Sequence, residues 1–307
     1  MNVLFICRGK ANGKISPITE RQLNSLKGLV NITVFPISGK GWTAYIKNVF
    51  SLRKFLLSHP VDIIHAHYSY SGIVASLASR KSAVCSLMGS DIEDSRINRL
   101  LIRIFAKFFW KETVVKSKRL KEKLGMSRTI VIPNGISLEF FKPASKIIAR
   151  EKIGFDPNKK IALFLADPSR QEKNYTLAQK AIDILPDNDS IELKAIYNID
   201  LSMVPDYISA SDMVILTSKF EGSPNVIKEA MACNCPIVST DVGDVREVIG
   251  NTEGCFITSF EPEGVAKKIK LAIEFNKKTN GRDNITHLDE KVIAQRLIDV
   301  YQSAIAK

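Results

Sequence analysis

The chain has 307 residues, 45% of them hydrophobic and 25% charged, an ordinary globular composition but too long for one domain of about 100 to 200 residues. Its five cysteines, Cys7, Cys85, Cys233, Cys235 and Cys255, are odd in number, scattered and without a C-x-x-C pair, which argues against a disulfide framework and a zinc site and fits a reducing cytoplasm. The net charge of +12 is unevenly divided: residues 1–150 hold 25 Lys and Arg against 8 Asp and Glu, residues 151–307 hold 19 against 24, so the first half is expected to face nucleic acid, a membrane surface or a phosphorylated substrate.

The opening MNVLFICRGKANGK has an apolar run followed by basic residues, the reverse of a signal peptide. The uncharged stretch 63–79 is broken by His65, His67, Tyr68, Ser69 and Ser71, so no membrane span is expected. In chain order, short β-branched runs at 3–7, 32–37, 61–67, 83–88, 112–117 and 129–134 read as strands buried on both faces. Helices are predicted between them at 16–28, 42–58, 72–79, 95–110 and 117–124. After PNGISLEFFKPASK the rhythm restarts, with strands at 161–166, 190–196, 212–218, 236–241 and 255–258. Helices are expected near 176–185, 205–210, 224–233, 245–249, 261–277 and 289–306. Alternating β and α elements imply parallel sheets, hence two doubly wound, Rossmann-like α/β domains joined near residues 140–155. The expected boundaries are 1–145 and 146–285, with residues 286–307 packing back on the first domain.

The stretch KFEGSPNVIKEAMACNCPIV, 219–238, follows the predicted strand DMVILTS. Ser223-Pro224 predicts a helix start, with Ser223 as N-cap and Pro224 at the first helical position. A helix opening past the carboxyl end of a parallel strand offers unpaired backbone N–H groups, so Gly222, Ser223, Pro224 and Asn225 are expected to cradle an anion, phosphate above all. Glu229 lies two turns along, beyond the reach of the dipole, and a carboxylate there suits a ribose diol. Glu221 precedes the helix and is expected to meet the hydroxyls of whatever the phosphate carries. At a second strand end, Arg170 and Lys173 are placed to neutralise a diphosphate.

These residues resemble the retaining glycosyltransferases of family 4, which have the GT-B fold of two domains facing across a cleft. The resemblance rests on Glu221 and Glu229 as an E-x7-E pair within FEGSPNVIKEAMACNCPIVSTDVGDVREVI, on ASD at 210–212, on VIPNGISLEFFKP, and on DIIHAHYS and GSD in the first half. It implies that Glu221 contacts the donor sugar, that Glu229 holds the ribose, and that Arg170 and Lys173 bind the diphosphate of a UDP- or GDP-sugar without a metal or other cofactor. The chain departs from the pattern in three places. Arg170 falls only three residues before Lys173, Asn234 replaces a glycine, and Met88-Gly89-Ser90-Asp91 stands where a His-Gly-x-Asp is usual, so His67 or a backbone group is expected to support the donor sugar in its place.

In the first half, CRGKANGKISP lacks a G-x-G-x-x-G fingerprint, so Gly9, Lys10 and Gly13, with Asp91, are assigned to the acceptor side. The two histidines of HAH are expected to point to opposite faces of the strand end, which disfavours a metal pair. Base contacts are expected around Tyr197 to Met203. The basic stretch 96–111 reads as a core helix with a solvated side or, alternatively, as an interfacial helix drawn to anionic lipid. Asp187-Asn188-Asp189 reads as a turn rather than a metal site.

The expected activity is transfer of a sugar from a nucleoside diphosphate to a glycan or lipid-linked acceptor in surface polysaccharide synthesis, in the cytoplasm or at the inner face of the membrane. A sugar-nucleotide epimerase or phosphorylase is the alternative enzyme, and a basic membrane- or nucleic-acid-binding module the alternative of another class. Nucleic acid is not expected, because no RNA-recognition signature is present.

Overall fold

The computed structural model describes residues 1–9, 15–39, 41–93, 95–186 and 190–307. The chain divides into two compact units, residues 1–135 with 290–307 and residues 136–289.

The first unit runs β1 (Asn2–Arg8), α1 (Pro17–Leu26), β2 (Asn31–Ile37), α2 (Gly41–Ser58), β3 (Ile63–His67), α3 (Ser69–Ala78), β4 (Ala83–Ser86), α4 (Ser90–Glu93), α5 (Arg96–Phe108), β5 (Glu112–Val115), α6 (Lys118–Leu124) and β6 (Ile130–Val131). The strands pair in parallel in the order β2-β1-β3-β4-β5-β6. β3, β4 and β5 are buried at every residue, as expected of strands covered on both faces. Serine caps set the helix starts: the side chains of Ser16, Ser95 and Ser117 accept the N–H groups of Thr19, Asn98 and Leu120.

The second unit runs α7 (Lys146–Ile153), β7 (Lys160–Phe164), a 3-10 turn at Gln171–Lys173, α8 (Tyr175–Asp183), β8 (Ile191–Ala195), α9 (Val204–Ala210), β9 (Met213–Leu216), α10 (Asn225–Ala232), β10 (Ile237–Thr240), α11 (Val245–Ile249), β11 (Cys255–Thr258), α12 (Pro262–Phe275) and α13 (Gly281–Asn284). Its parallel sheet has the order β11-β10-β9-β7-β8. A core of Ala162, Phe164, Ile215 and Val238 from the sheet packs on Ala178 and Ala181 of α8 and Val265 and Ile269 of α12. The last helix, α14 (Glu290–Ala306), returns to the first unit, where Tyr301, Leu297 and Ala294 are fully buried.

Several boundaries depart from the sequence reading. The division falls at 135/136 and 289/290 rather than at 145/146 and 285/286, because Arg282 ties the segment after Gly135 to the second unit. Its guanidinium donates to the carbonyls of Leu138 at 2.5 Å, Phe141 at 2.6 Å and Ala232 at 3.1 Å. The stretch expected to link the domains contains α7, with Ala149 and Arg150 buried. The strand expected over 129–134 shortens to two residues. α3 begins at Ser69 rather than Gly72, and Gly72 serves packing instead: a Cβ there would meet Cys85 Sγ and Trp110 Cζ2 at 2.7 Å.

Candidate functional site

In the second sheet the strand order reverses between β7 and β9, which are hydrogen-bonded neighbours. The carboxyl ends of two such strands form the crevice where open α/β sheets take ligands. Lys173 follows β7 and Glu221 follows β9, and at this crevice Lys173 Nζ lies 2.5 Å from Glu221 Oε1. Ser218 Oγ donates to the same carboxylate oxygen at 2.8 Å. The pair is partly buried, its side chains 14% and 16% exposed.

Backbone contacts hold the two loops in register. The Lys219 N–H donates to the Glu172 carbonyl at 2.8 Å, and the Thr217 hydroxyl donates to the Asn174 carbonyl at 2.9 Å. On the other side, Thr240 Oγ1 donates to the Ser218 carbonyl at 2.8 Å. Gly243, at φ +59°, packs so closely on the Glu221-Gly222 backbone that a Cβ would lie 2.9 Å from the Gly222 carbonyl oxygen.

α10 starts one residue later than predicted, with Pro224 in the cap position and no side-chain cap. Ser223 is therefore not the N-cap. Its hydroxyl donates instead to Asp244 Oδ2 at 2.6 Å and accepts from Lys228. Gly222, Ser223 and Pro224 are buried, and Asn225 opens the helix half-buried. Glu229 lies on the second turn of α10 and is buried, not on a solvated helix face. Arg170 is turned to its neighbour, with Nη2 2.6 Å from Glu172 Oε1, and its side chain is 54% exposed. Tyr197, beyond the end of β8, is exposed.

In the first unit the sheet order reverses between β1 and β3. Gly9 follows β1, its N–H donating to the Ile37 carbonyl at 3.0 Å. Lys10, Gly13 and the turn 187–189 lie outside the described residues. His65 and His67 do not point to opposite faces of β3. Residues two apart share a face of a strand, and the two rings lie 4.2 Å apart between centroids. His65 is held between Tyr301 Oη at 2.6 Å and Ser86 Oγ at 2.7 Å. His67 Nε2 is buried without a polar partner among the described residues. Burial first, and the nearby Lys116 charge second, push the His67 pKa down to about 3, so the ring is neutral at physiological pH.

Tyr68 adopts φ 85° and ψ 146°, a conformation costing a non-glycine residue on the order of 1–3 kcal/mol, at the carboxyl end of β3. Asp91 is fully buried and clamps that end, accepting the N–H groups of Ser69 at 3.2 Å, Met88 at 3.1 Å and Gly89 at 3.0 Å. Burial raises its carboxyl pKa to about 6, and the three backbone donors oppose that rise only in part. Met88, where the sequence lacks a histidine, contributes its backbone N–H to this clamp. No group of three or more His, Cys, Asp or Glu positioned to hold a metal occurs among the described residues.

Along α5, Asn98 and Ile102 face the core while Ile97, Leu100, Ile104 and Phe108 are exposed, interleaved with exposed Arg96, Arg103 and Lys107. The outward side is thus mixed basic and apolar, not purely solvated charge. No helix among the described residues is long and apolar enough to cross a membrane.

Sequence reasoning passed over Lys228, Asp244 and Thr217. The available signal was a lysine between Ile227 and the Glu229-Ala230-Met231-Ala232 run of α10, all of which the structure buries.

Two parallel six- and five-stranded α/β units, each with its polar cluster at the reversal of strand order, make up the GT-B fold. The model described as Glycosyltransferase Family 4 matches residues 9–140, and that described as Glycosyl transferases group 1 matches residues 169–274. The chain belongs to this family of glycosyltransferases. It is 28% identical over 239 residues to a putative teichuronic acid biosynthesis glycosyltransferase of Bacillus subtilis, covering 68% of this chain and 60% of that protein. It is 26% identical over 249 residues to the UDP-Gal:alpha-D-GlcNAc-diphosphoundecaprenol alpha-1,3-galactosyltransferase of Escherichia coli, covering 67% and 64%. Anabaena HepE in complex with UDP-glucose superposes with a TM-score of 0.80 at 18% identity, covering 99% of this chain and 100% of the other, a likeness of fold.

Proposed function

We propose that the chain is a retaining glycosyltransferase that moves a sugar from a nucleoside diphosphate sugar, UDP- or GDP-linked, onto a glycan or lipid-linked acceptor in surface polysaccharide synthesis. The observation that carries this reading is the Lys173–Glu221 pair at the switch point of the second sheet, ahead of the start of α10. In the reaction the bond from the sugar C1 to the diphosphate oxygen breaks, its electron pair leaving with the diphosphate. The acceptor hydroxyl oxygen forms the new bond to C1 and gives up its proton. Charge therefore grows on the leaving diphosphate, and Lys173 with the N–H groups at the start of α10 stabilises it without a metal. Arg170 joins them once it releases Glu172. Glu221 is assigned to the sugar hydroxyls and Glu229 to the ribose, with Tyr197 near the base.

The basic first unit is assigned to the acceptor, with Gly9, Lys10, Gly13 and Asp91 on that side and His67 beside the sugar. The names of two relatives support a lipid-linked acceptor: the E. coli galactosyltransferase acts on a diphosphoundecaprenol substrate, and a Campylobacter jejuni relative is named for another. The exposed apolar and basic residues of α5 fit docking on the anionic cytoplasmic face of a membrane.

The test is to incubate the purified protein with radiolabelled UDP- and GDP-sugars and a lipid extract. Label should pass to an acceptor, and Glu229→Ala should lose at least about tenfold in donor affinity. Conversion of the donor without any acceptor would favour an epimerase or phosphorylase and overturn the transferase.

A further inference from the structure

Lys228 is fully buried on α10, one residue before Glu229. Long helical side chains run back toward the N-terminus of their helix, and this one ends there. Its Nζ donates to Ser223 Oγ and lies 3.2 Å from Asp244 Oδ2, and the Ser223 hydroxyl donates to the same Asp244 oxygen at 2.6 Å. The three groups close a ring between the loop before α10 and the loop after β10.

A lysine inside a protein is costly unless paired, and a cation at a helix N-terminus also works against the helix dipole. Asp244 offsets part of that cost. Its second oxygen, Oδ1, is buried without a polar partner among the described residues, so Lys228 is the chief compensation for the carboxylate. The pair bridges the seam where Gly243 lies against the Glu221-Gly222 backbone, a contact with no room for a side chain.

We propose that Lys228 and Asp244 are positioning residues for the diphosphate end of the donor. They fix the loop 221–224 so that its N–H groups and the Glu221 carboxylate stand ready before the ligand arrives. Lys228 adds a buried positive charge beneath the anion without touching it. This rests on the reading that the start of α10 takes the diphosphate, and it assigns a role to two residues to which that reading gave none. Preorganised dipoles gain their effect by needing no rearrangement when charge appears, which is what a buried, side-chain-bonded pair secures.

The experiment measures binding of UDP, GDP and their parent nucleosides by calorimetry, together with thermal unfolding. Lys228→Met alone should lower both stability and affinity, since it strands a buried carboxylate. The double variant Lys228→Met/Asp244→Leu removes both charges and should recover stability while its affinity for the diphosphate stays at least about tenfold below wild type, with nucleoside affinity unchanged. Asp244→Asn keeps an acceptor for the Ser223 hydroxyl but strands the buried Lys228 cation, so it should lower stability while its diphosphate affinity remains within about threefold of wild type. Wild-type diphosphate affinity in the double variant would overturn the inference and leave the proposed function standing. Failure of both nucleotides to bind the wild type would overturn the donor reading and this inference together.

Discussion

Lys173 and Glu221, 48 residues apart in sequence, meet at 2.5 Å where the loops of two adjacent parallel strands converge. The contact links a cation placed at the crevice to the acid assigned to the sugar. Lys173→Met should therefore lower kcat/KM by about a hundredfold or more, the scale of losing one charge-stabilising donor. Because both side chains are largely buried and Ser218 still donates to Glu221, unfolding free energy should fall by about 1–3 kcal/mol. Steady-state kinetics beside a urea titration check the two expectations. A large stability loss with unchanged kcat/KM would remove Lys173 from the reaction.

Acid should destabilise the first unit through its histidines. His67 has a pKa near 3 in the folded state against 6.5 unfolded, and that of His65 is lowered too, by burial and then by His67 and Lys116. The folded state thus binds fewer protons than the unfolded chain below pH 6.5, and stability is lost as pH falls from 6.5 toward 3. For His67 alone the full loss is on the order of 4–5 kcal/mol at 1.36 kcal/mol per pH unit. His67→Gln should flatten this slope in urea titrations between pH 4 and 7. An unchanged slope would mean that the ring is not buried as a neutral group.

Asp91 acts in the opposite direction. Its folded pKa near 6 exceeds the unfolded 3.8, so the folded state holds the extra proton and stability falls as pH rises from about 4 to 6. Comparing wild type with Asp91→Asn should show wild type losing ground over that interval by up to roughly 3 kcal/mol. Parallel curves for the two proteins would contradict it.

Asp212, part of the ASD motif, joins three elements of the second unit. Its carboxylate accepts the Ile161 N–H at 2.7 Å and an Arg150 Nη2 bond at 2.8 Å, and it also pairs with Lys146. Arg150 is itself buried, so Asp212→Ala strands a guanidinium in the interior and should cost about 3–5 kcal/mol in thermal or chemical unfolding of this unit. The loss should appear without any selective effect on nucleotide affinity.

Much of the fold was legible because buried parallel strands are short apolar runs of a kind helices do not produce, as IALFLA and VLFIC show. Boundaries were less so: nothing in PNGISLEFFKP announces that Arg282, more than a hundred residues later, holds its carbonyls. For the site, local motif spacing brought out Glu221, Glu229 and Lys173. Ser223 was misread because Ser-Pro is a strong capping signal locally, while the hydroxyl is claimed by Asp244 from a distant loop. Lys228 and Asp244 were missed for the same reason, since a buried pair between a helix and a distant loop has no sequence spacing of its own. The histidine orientation was an error of period, corrected by the rings themselves.

The return of α14 to the first unit has a consequence for the order of synthesis. Tyr301 emerges 236 residues after His65, its buried hydrogen-bond partner. A ribosome making this chain synthesises the whole of the second unit before the helix that completes the first. The unit begun second is thus complete in sequence before the unit begun first. A truncation ahead of Tyr301 would injure the amino-terminal half of the protein and spare its nearer neighbour.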